Sequence, residues 1–200
     1  MRSAIRSRHR RRVRSLPASP LCPPLAWVVG APIACRLRLR SSVHCLPPGG
    51  VTASETPDAA YESRVRASFE RQRFMATIGA RLTRVALGEV DIEVAMRDDL
   101  VQQHGFLHAG VLASAADSAC GYAALSLMPV DAAVLSIEFK INVLAPARGE
   151  RVVARGRVLR AGRTITVCRG DVTAYTGSAE RLVATMVATM MTVRDRGLTD

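Results

Sequence analysis

The stretch QQHGFLHAGVLASAADSACGYAA, residues 102–124, constrains this chain more than any other. No proline interrupts it between His108 and Pro129, and Val111, Leu112, Tyr122, Leu125 and Met128 mark a buried helix. Nearly every other position is Ala, Gly, Ser or Cys, which makes the helix unusually thin. A thin helix lets a curved sheet close around it, and glycine is tolerated there despite a cost of roughly 1 kcal/mol per interior position. The period then changes to two. In VLSIEFKINVL, Leu135, Ile137, Phe139, Ile141 and Val143 alternate with Ser136, Glu138, Lys140 and Asn142. ERVVARGRVLR and TITVCRGDVTA follow, joined by a compact turn at Ala161-Gly162-Arg163. RLVATMVATMMTV is the last strand, longer and apolar on both faces.

Upstream, DAAYESRVRASFERQRF places Tyr61, Val65, Phe69 and, roughly, Phe74 along one side of a short amphipathic helix. ATIGARLTRVALG and EVDIEVAM read as a strand pair turning at Gly88, and RDDLVQQHGFL as a polar loop. The order is helix, two strands, long helix, four strands. It predicts an α+β fold, an antiparallel sheet wrapped around one long central helix.

The net charge of +11 suggests a nucleic-acid or membrane partner until it is located. Residues 1–50 hold ten arginines and no acid, which leaves 18 basic against 17 acidic groups in the remainder. No nucleic acid is therefore expected on the folded part. The first fifty residues also hold seven of the ten prolines, so residues 1–54 are expected to be a disordered Arg/Pro-rich extension, or not part of the mature protein. The folded domain is expected over 55–197. The apolar patch PLAWVVGAPIAC is too short to span a bilayer and is broken by prolines, so no membrane is expected. The five cysteines form no C-x-x-C pair and their number is odd, which disfavours zinc and a disulfide framework and suits a reducing cytoplasm. No metal or cofactor is expected.

Asp117 is the anomaly in the thin helix. Its neighbours three and four positions away are Ala113, Ser114, Cys120 and Gly121, so no local lysine or arginine can pair with it. On an open face it would be an ordinary solvated acid. Enclosed by a sheet, it needs a hydrogen bond or a function, because a buried unpaired carboxylate costs several kcal/mol. Nine residues separate it from His108, about 13 Å of helix rise and roughly half a turn out of phase. The helix start, with N–H groups at Ala109 and Gly110, cannot reach the same small substrate as Asp117 within one chain. Either the site is split across a homodimer or these residues are unrelated.

From about Ala76 to Val193 the chain resembles a hotdog-fold thioesterase of the PaaI group. GFLHAGVLASAADSACGYAA is similar to that group's Gly-x-x-His-Gly-Gly…Asp signature, LSIEFKINVLAPA to its third strand and RAGRTITVCRGDV to its next hairpin. Ala109 stands where the signature has its first paired glycine; alanine keeps the N–H but restricts φ. The resemblance implies acyl-CoA hydrolysis in a homodimer or dimer of dimers. The Ala109 N–H would serve the oxyanion hole with Gly110 nearby. Asp117 of the other subunit would be general base or nucleophile. Gln102 would orient nucleophile or substrate, Ser136 would hold the attacking water, and His108 would fix the loop or polarise the carbonyl. Arg160 and Arg163 would meet the CoA phosphates. Gln102 as a loop residue, Ser136 as an outward strand hydroxyl, His108 as a structural histidine and the two arginines as a solvated turn are the plainer readings. CoA is part of the substrate. A non-catalytic acyl-CoA sensor is the alternative, and the arginine-rich extension acting as the functional module is a weaker one. A dehydratase is disfavoured because residue 122, five after Asp117, is Tyr, and no His-Phe-Pro-Gly run is present.

Overall fold

The computed structural model describes residues 60–194, 197–198 and 200, so the expectation for 1–54 lies outside the described residues. Helices α1 (Tyr61–Arg71) and α2 (Arg73–Thr77) lead into strands β1 (Ala80–Ala86) and β2 (Glu89–Ala95). A single 3-10 turn (Asp98–Leu100) precedes the long helix α3 (Ala109–Leu125), and β3 (Ala133–Val143), β4 (Arg151–Ala161), β5 (Ile165–Thr176) and β6 (Ala179–Val193) complete the chain. The strands form one sheet in the order β1-β2-β4-β5-β6-β3, every neighbouring pair antiparallel. The sheet wraps α3, as the patterning predicts. Among the described residues no helix is long and apolar enough to cross a membrane.

The small residues of α3 meet a matching gap in the sheet. Gly156 of β4 and Gly170 of β5 stand opposite each other in register. A Cβ built at Gly156 would lie 2.2 Å from the Ala119 carbonyl oxygen, and one at Gly170 would lie 2.9 Å from Cys120 Sγ. Helix backbone thus rests almost directly on strand backbone. Around that contact Ile92, Val152, Val172, Met186 and Met190 are fully buried and pack with Leu112 and Leu125 in one core. On the opposite side of the sheet, Arg151, Arg155 and Arg157 pair with Asp91, Glu93 and Glu89, which keeps that surface polar.

Two details depart from the sequence pattern. The first helix is broken at Gln72, whose ψ of 93° is extended, and Phe74 is 56% exposed rather than on the packed side. The break turns α2 so that Met75 and Ile78 are buried in Phe74's place. Strand β3 carries a bulge between Ser136 and Glu138, with Ser136 opposite Met190 and Glu138 opposite Thr189. Ile137 is the extra residue. The bulge breaks the strict alternation and puts Ser136 on the same face as Phe139 and Ile141, while Leu135 faces the other way.

Arg64 of α1 closes the far end of α3. Its guanidinium donates to the carbonyls of Leu125 (2.9 Å), Met128 (2.8 Å) and Pro129, which ties α1 to the end of the helix and the turn that follows it.

Candidate active site

Asp117 lies half-buried between α3 and strand β3. Ser136 Oγ donates to its Oδ1 at 2.6 Å. No described arginine, lysine or histidine forms an ion pair with it. Burial pushes the Asp117 carboxyl above its ordinary range, and the Ser136 hydrogen bond, which favours the ionised form, pulls it part of the way back. Beside the pair is a cavity of about 100 Å³, walled by Asp117, Ser118, Gly121 and Tyr122 of α3 and by Val134 and Ser136 of β3. Gln72 and Asp200 close its rim. Asp200 accepts hydrogen bonds from Ser68 Oγ (3.0 Å) and the Val134 N–H (2.7 Å).

The start of α3 is built differently from the expectation. His108 is the N-cap, and its Nδ1 accepts the Gly110 N–H at 2.9 Å. Gly110 is therefore not a free donor, because the cap already uses its hydrogen. To accept there, a neutral His108 must carry its proton on Nε2. The His108 N–H donates to the Leu100 carbonyl at 2.9 Å, which ties the cap to the 3-10 turn. The Ala109 N–H has no partner among the described residues, and Ala109 is exposed. Ala109 and Asp117 are eight residues apart on an unbroken helix, about 12 Å of rise, so one chain does not bring them together.

Gln102 is not brought to Asp117 within the chain either. Its side-chain oxygen accepts the His104 N–H, and its own N–H donates to Phe106 at 2.8 Å, so it shapes the loop before α3. Arg160 and Arg163 are exposed at the β4–β5 turn, with no acidic partner in reach among the described residues. Cys120 and Cys168 are free and buried; burial raises both thiols, Cys168 up to about 12, so neither is a ready nucleophile. Among the described residues no cluster of three His, Cys, Asp or Glu side chains could hold a metal ion.

Two of the residues around Asp117 escape a reading of the sequence. Gln72 lies 45 positions earlier and enters only through the break between α1 and α2. Tyr122 reads as a core marker, which it is, yet its hydroxyl end reaches the cavity and stands 3.5 Å from Ser68 Oγ. The only available signal was Tyr's polar tip on an otherwise apolar helix face.

Residues 104–180 match the model of the Thioesterase superfamily. Among solved structures, the chain is similar to a thioesterase family protein from Silicibacter pomeroyi, with 49% identity and a TM-score of 0.66, over 67% of this chain and 98% of the other. The PaaI protein of the E. coli phenylacetic acid degradation operon shares the fold at 18% identity and a TM-score of 0.62, over 69% of this chain and 96% of its own. A Saccharolobus solfataricus protein that bears the name of an esterase is 29% identical over 133 residues, 66% of this chain and 86% of its own length.

Proposed function

Since the chain belongs to the thioesterase superfamily and has its hotdog fold, we propose that it hydrolyses acyl-CoA thioesters at a site shared by two copies of itself. The observation that carries this reading is the Asp117–Ser136 pair, a half-buried carboxylate with a serine partner and no cation. Such a carboxylate is a better base than an exposed one, because burial raises its affinity for a proton while the Ser136 hydrogen bond still supports the ionised form. With Ser136 it would hold and deprotonate the attacking water; as nucleophile instead, it would break the thioester C–S bond, release the CoA thiolate and form a mixed anhydride that water then opens to the free acid and the carboxylate. The Ala109 N–H of the second copy would receive the developing oxyanion, helped by the positive end of its helix. His108 would hold that N–H in place by capping the same turn. Arg160 and Arg163 would meet the CoA phosphates. Residues 1–54 would take no part in this chemistry.

The second copy would join along β3, the sheet edge opposite β1. That edge leaves Leu135, Ile137, Phe139 and Val143 between 44% and 53% exposed, apolar groups beside an unpaired strand ladder. A dimer of dimers would place two such pairs together.

The test uses two inactive variants. Asp117→Asn removes the acid. Ala109→Pro removes only one N–H, at a first helical position where proline is well accommodated and after a residue at ψ 137°. Each is expected to lose about 100-fold or more in kcat/KM on acyl-CoA. After mixing and re-association, half the dimers would be mixed and would own one intact site of two, so activity should return to about a quarter of wild type. No recovery from stable mixed dimers would remove the shared site. Wild-type chain that binds acyl-CoA without hydrolysing it would favour the sensor reading instead.

A further inference from the structure

The cavity beside Asp117 has polar groups at the end away from the acid. One helical turn beyond Asp117, Gly121 presents no side chain, and a Cβ built there would meet nothing within 4 Å. The space therefore continues along α3 from the acid toward Tyr122. At that end the Gln72 carboxamide receives a hydrogen bond from Ser118 Oγ at 3.5 Å, and Tyr122 Oη stands 3.5 Å from Ser68 Oγ. Both contacts are at the long limit for hydrogen bonds, so these groups can gain from a closer partner. Burial holds the Tyr122 hydroxyl protonated well past neutrality, with Ser68 and Gln72 opposing that shift only in part.

An alkyl group lying over that end would cover the carboxamide of Gln72, which faces solvent, and return no hydrogen bond to it or to the buried phenol of Tyr122. A site whose polar groups expect a hydroxyl rejects the analogue that lacks one more strongly than an apolar pocket rejects an added methylene. The cavity itself, about 100 Å³, holds only a short acyl group before the space opens to solvent.

We propose that Gln72, backed by Tyr122, selects the acyl group, so that the site prefers short acyl thioesters carrying a hydroxyl or oxo group at the third or fourth carbon over plain alkyl thioesters of equal length. This rests on the thioesterase reading above. Gln72 is a specificity residue here and takes no part in the bond-breaking step. It reaches the site because the helix break at position 72 turns its side chain toward Ser118 while α2 goes on to bury Met75.

The experiment compares kcat/KM for butanoyl-CoA with those for 3-hydroxybutanoyl-CoA and 3-oxobutanoyl-CoA, using full-length wild type, Gln72→Leu and Gln72→Glu. The ratio within each protein is independent of how much of it is folded. Wild type should favour one polar thioester by about tenfold or more. Gln72→Leu should bring the ratio to within about twofold of unity, and Gln72→Glu, which keeps an acceptor oxygen, should retain part of the preference. A wild-type ratio near one, or a ratio that Gln72→Leu leaves intact, overturns the proposal while the thioesterase reading stands. Hydrolysis of none of the three thioesters, nor of longer ones, removes that reading and this inference with it.

Discussion

Asp117 works at a tension between two influences on the same oxygen atoms. Burial resists its negative charge, and the Ser136 hydroxyl supports it. If the ionised carboxylate is the active form, the acid limb of kcat/KM should titrate above the ordinary carboxylate range. Ser136→Ala removes the group that favours ionisation, so that limb should move to still higher pH. The maximal rate should also fall, by about tenfold or more if the serine helps to hold the water. A pH–rate profile of the two proteins checks both points, and a limb that moves downward would show that Ser136 supports the neutral acid. At this scale Asp117 was legible because small residues surround it and none can neutralise it. Its partner Ser136 was legible only through the family resemblance, not from the strand pattern. Strict alternation in VLSIEFKINVL puts Ser136 opposite to Phe139, and nothing in the residues Ser136-Ile137-Glu138 marks the bulge that reverses this. The engagement of Gly110 by its own cap was equally hidden, since it depends on which imidazole nitrogen accepts.

The contact of α3 with β4 and β5 sets how accurately the acid is placed. Gly156→Ala would push a methyl group to within 2.2 Å of the Ala119 carbonyl, two residues from Asp117. Backbone on both sides has nowhere to move cheaply, so the substitution should destabilise the fold by about 2–3 kcal/mol. Equilibrium unfolding in urea measures this, and an unchanged midpoint would mean that helix and sheet are less tightly joined than the geometry states. The elements themselves were readable from their periods, 3.6 in the helices and two in the strands on either side of α3, because each buries one face against the other. The glycines were readable only as weak points in strands. Their purpose needs the facing helix, which lies 36 and 50 residues away from Gly156 and Gly170 when counted from Cys120. The break at Gln72 escapes for a similar reason. Burial of Met75 and Ile78 decides it, while the spacing of Tyr61, Val65 and Phe69 gives no sign of where the helix stops.

At the scale of the whole molecule, the two sheet edges differ. Strand β1 is seven residues long and irregular between Leu82 and Arg84, and Arg81 and Arg84 form ion pairs with Glu93 and Glu89 of its neighbour. Strand β3 is eleven residues long and apolar along much of its exposed length. Phe139→Asp should place a charge in the proposed join, leave the protomer fold intact and shift sedimentation from dimer or larger to monomer. Activity should fall with the dimer, since neither half-site is complete alone. A dimer that persists at micromolar concentration would move the join elsewhere. The unequal edges also bear on safety in a crowded cell. A twofold pairing through β3 would consume the one edge open to further strands, and the short, charged β1 offers no template for the next molecule. Growth would stop at a closed particle, so a chain with so much exposed apolar strand need not be prone to fibre formation.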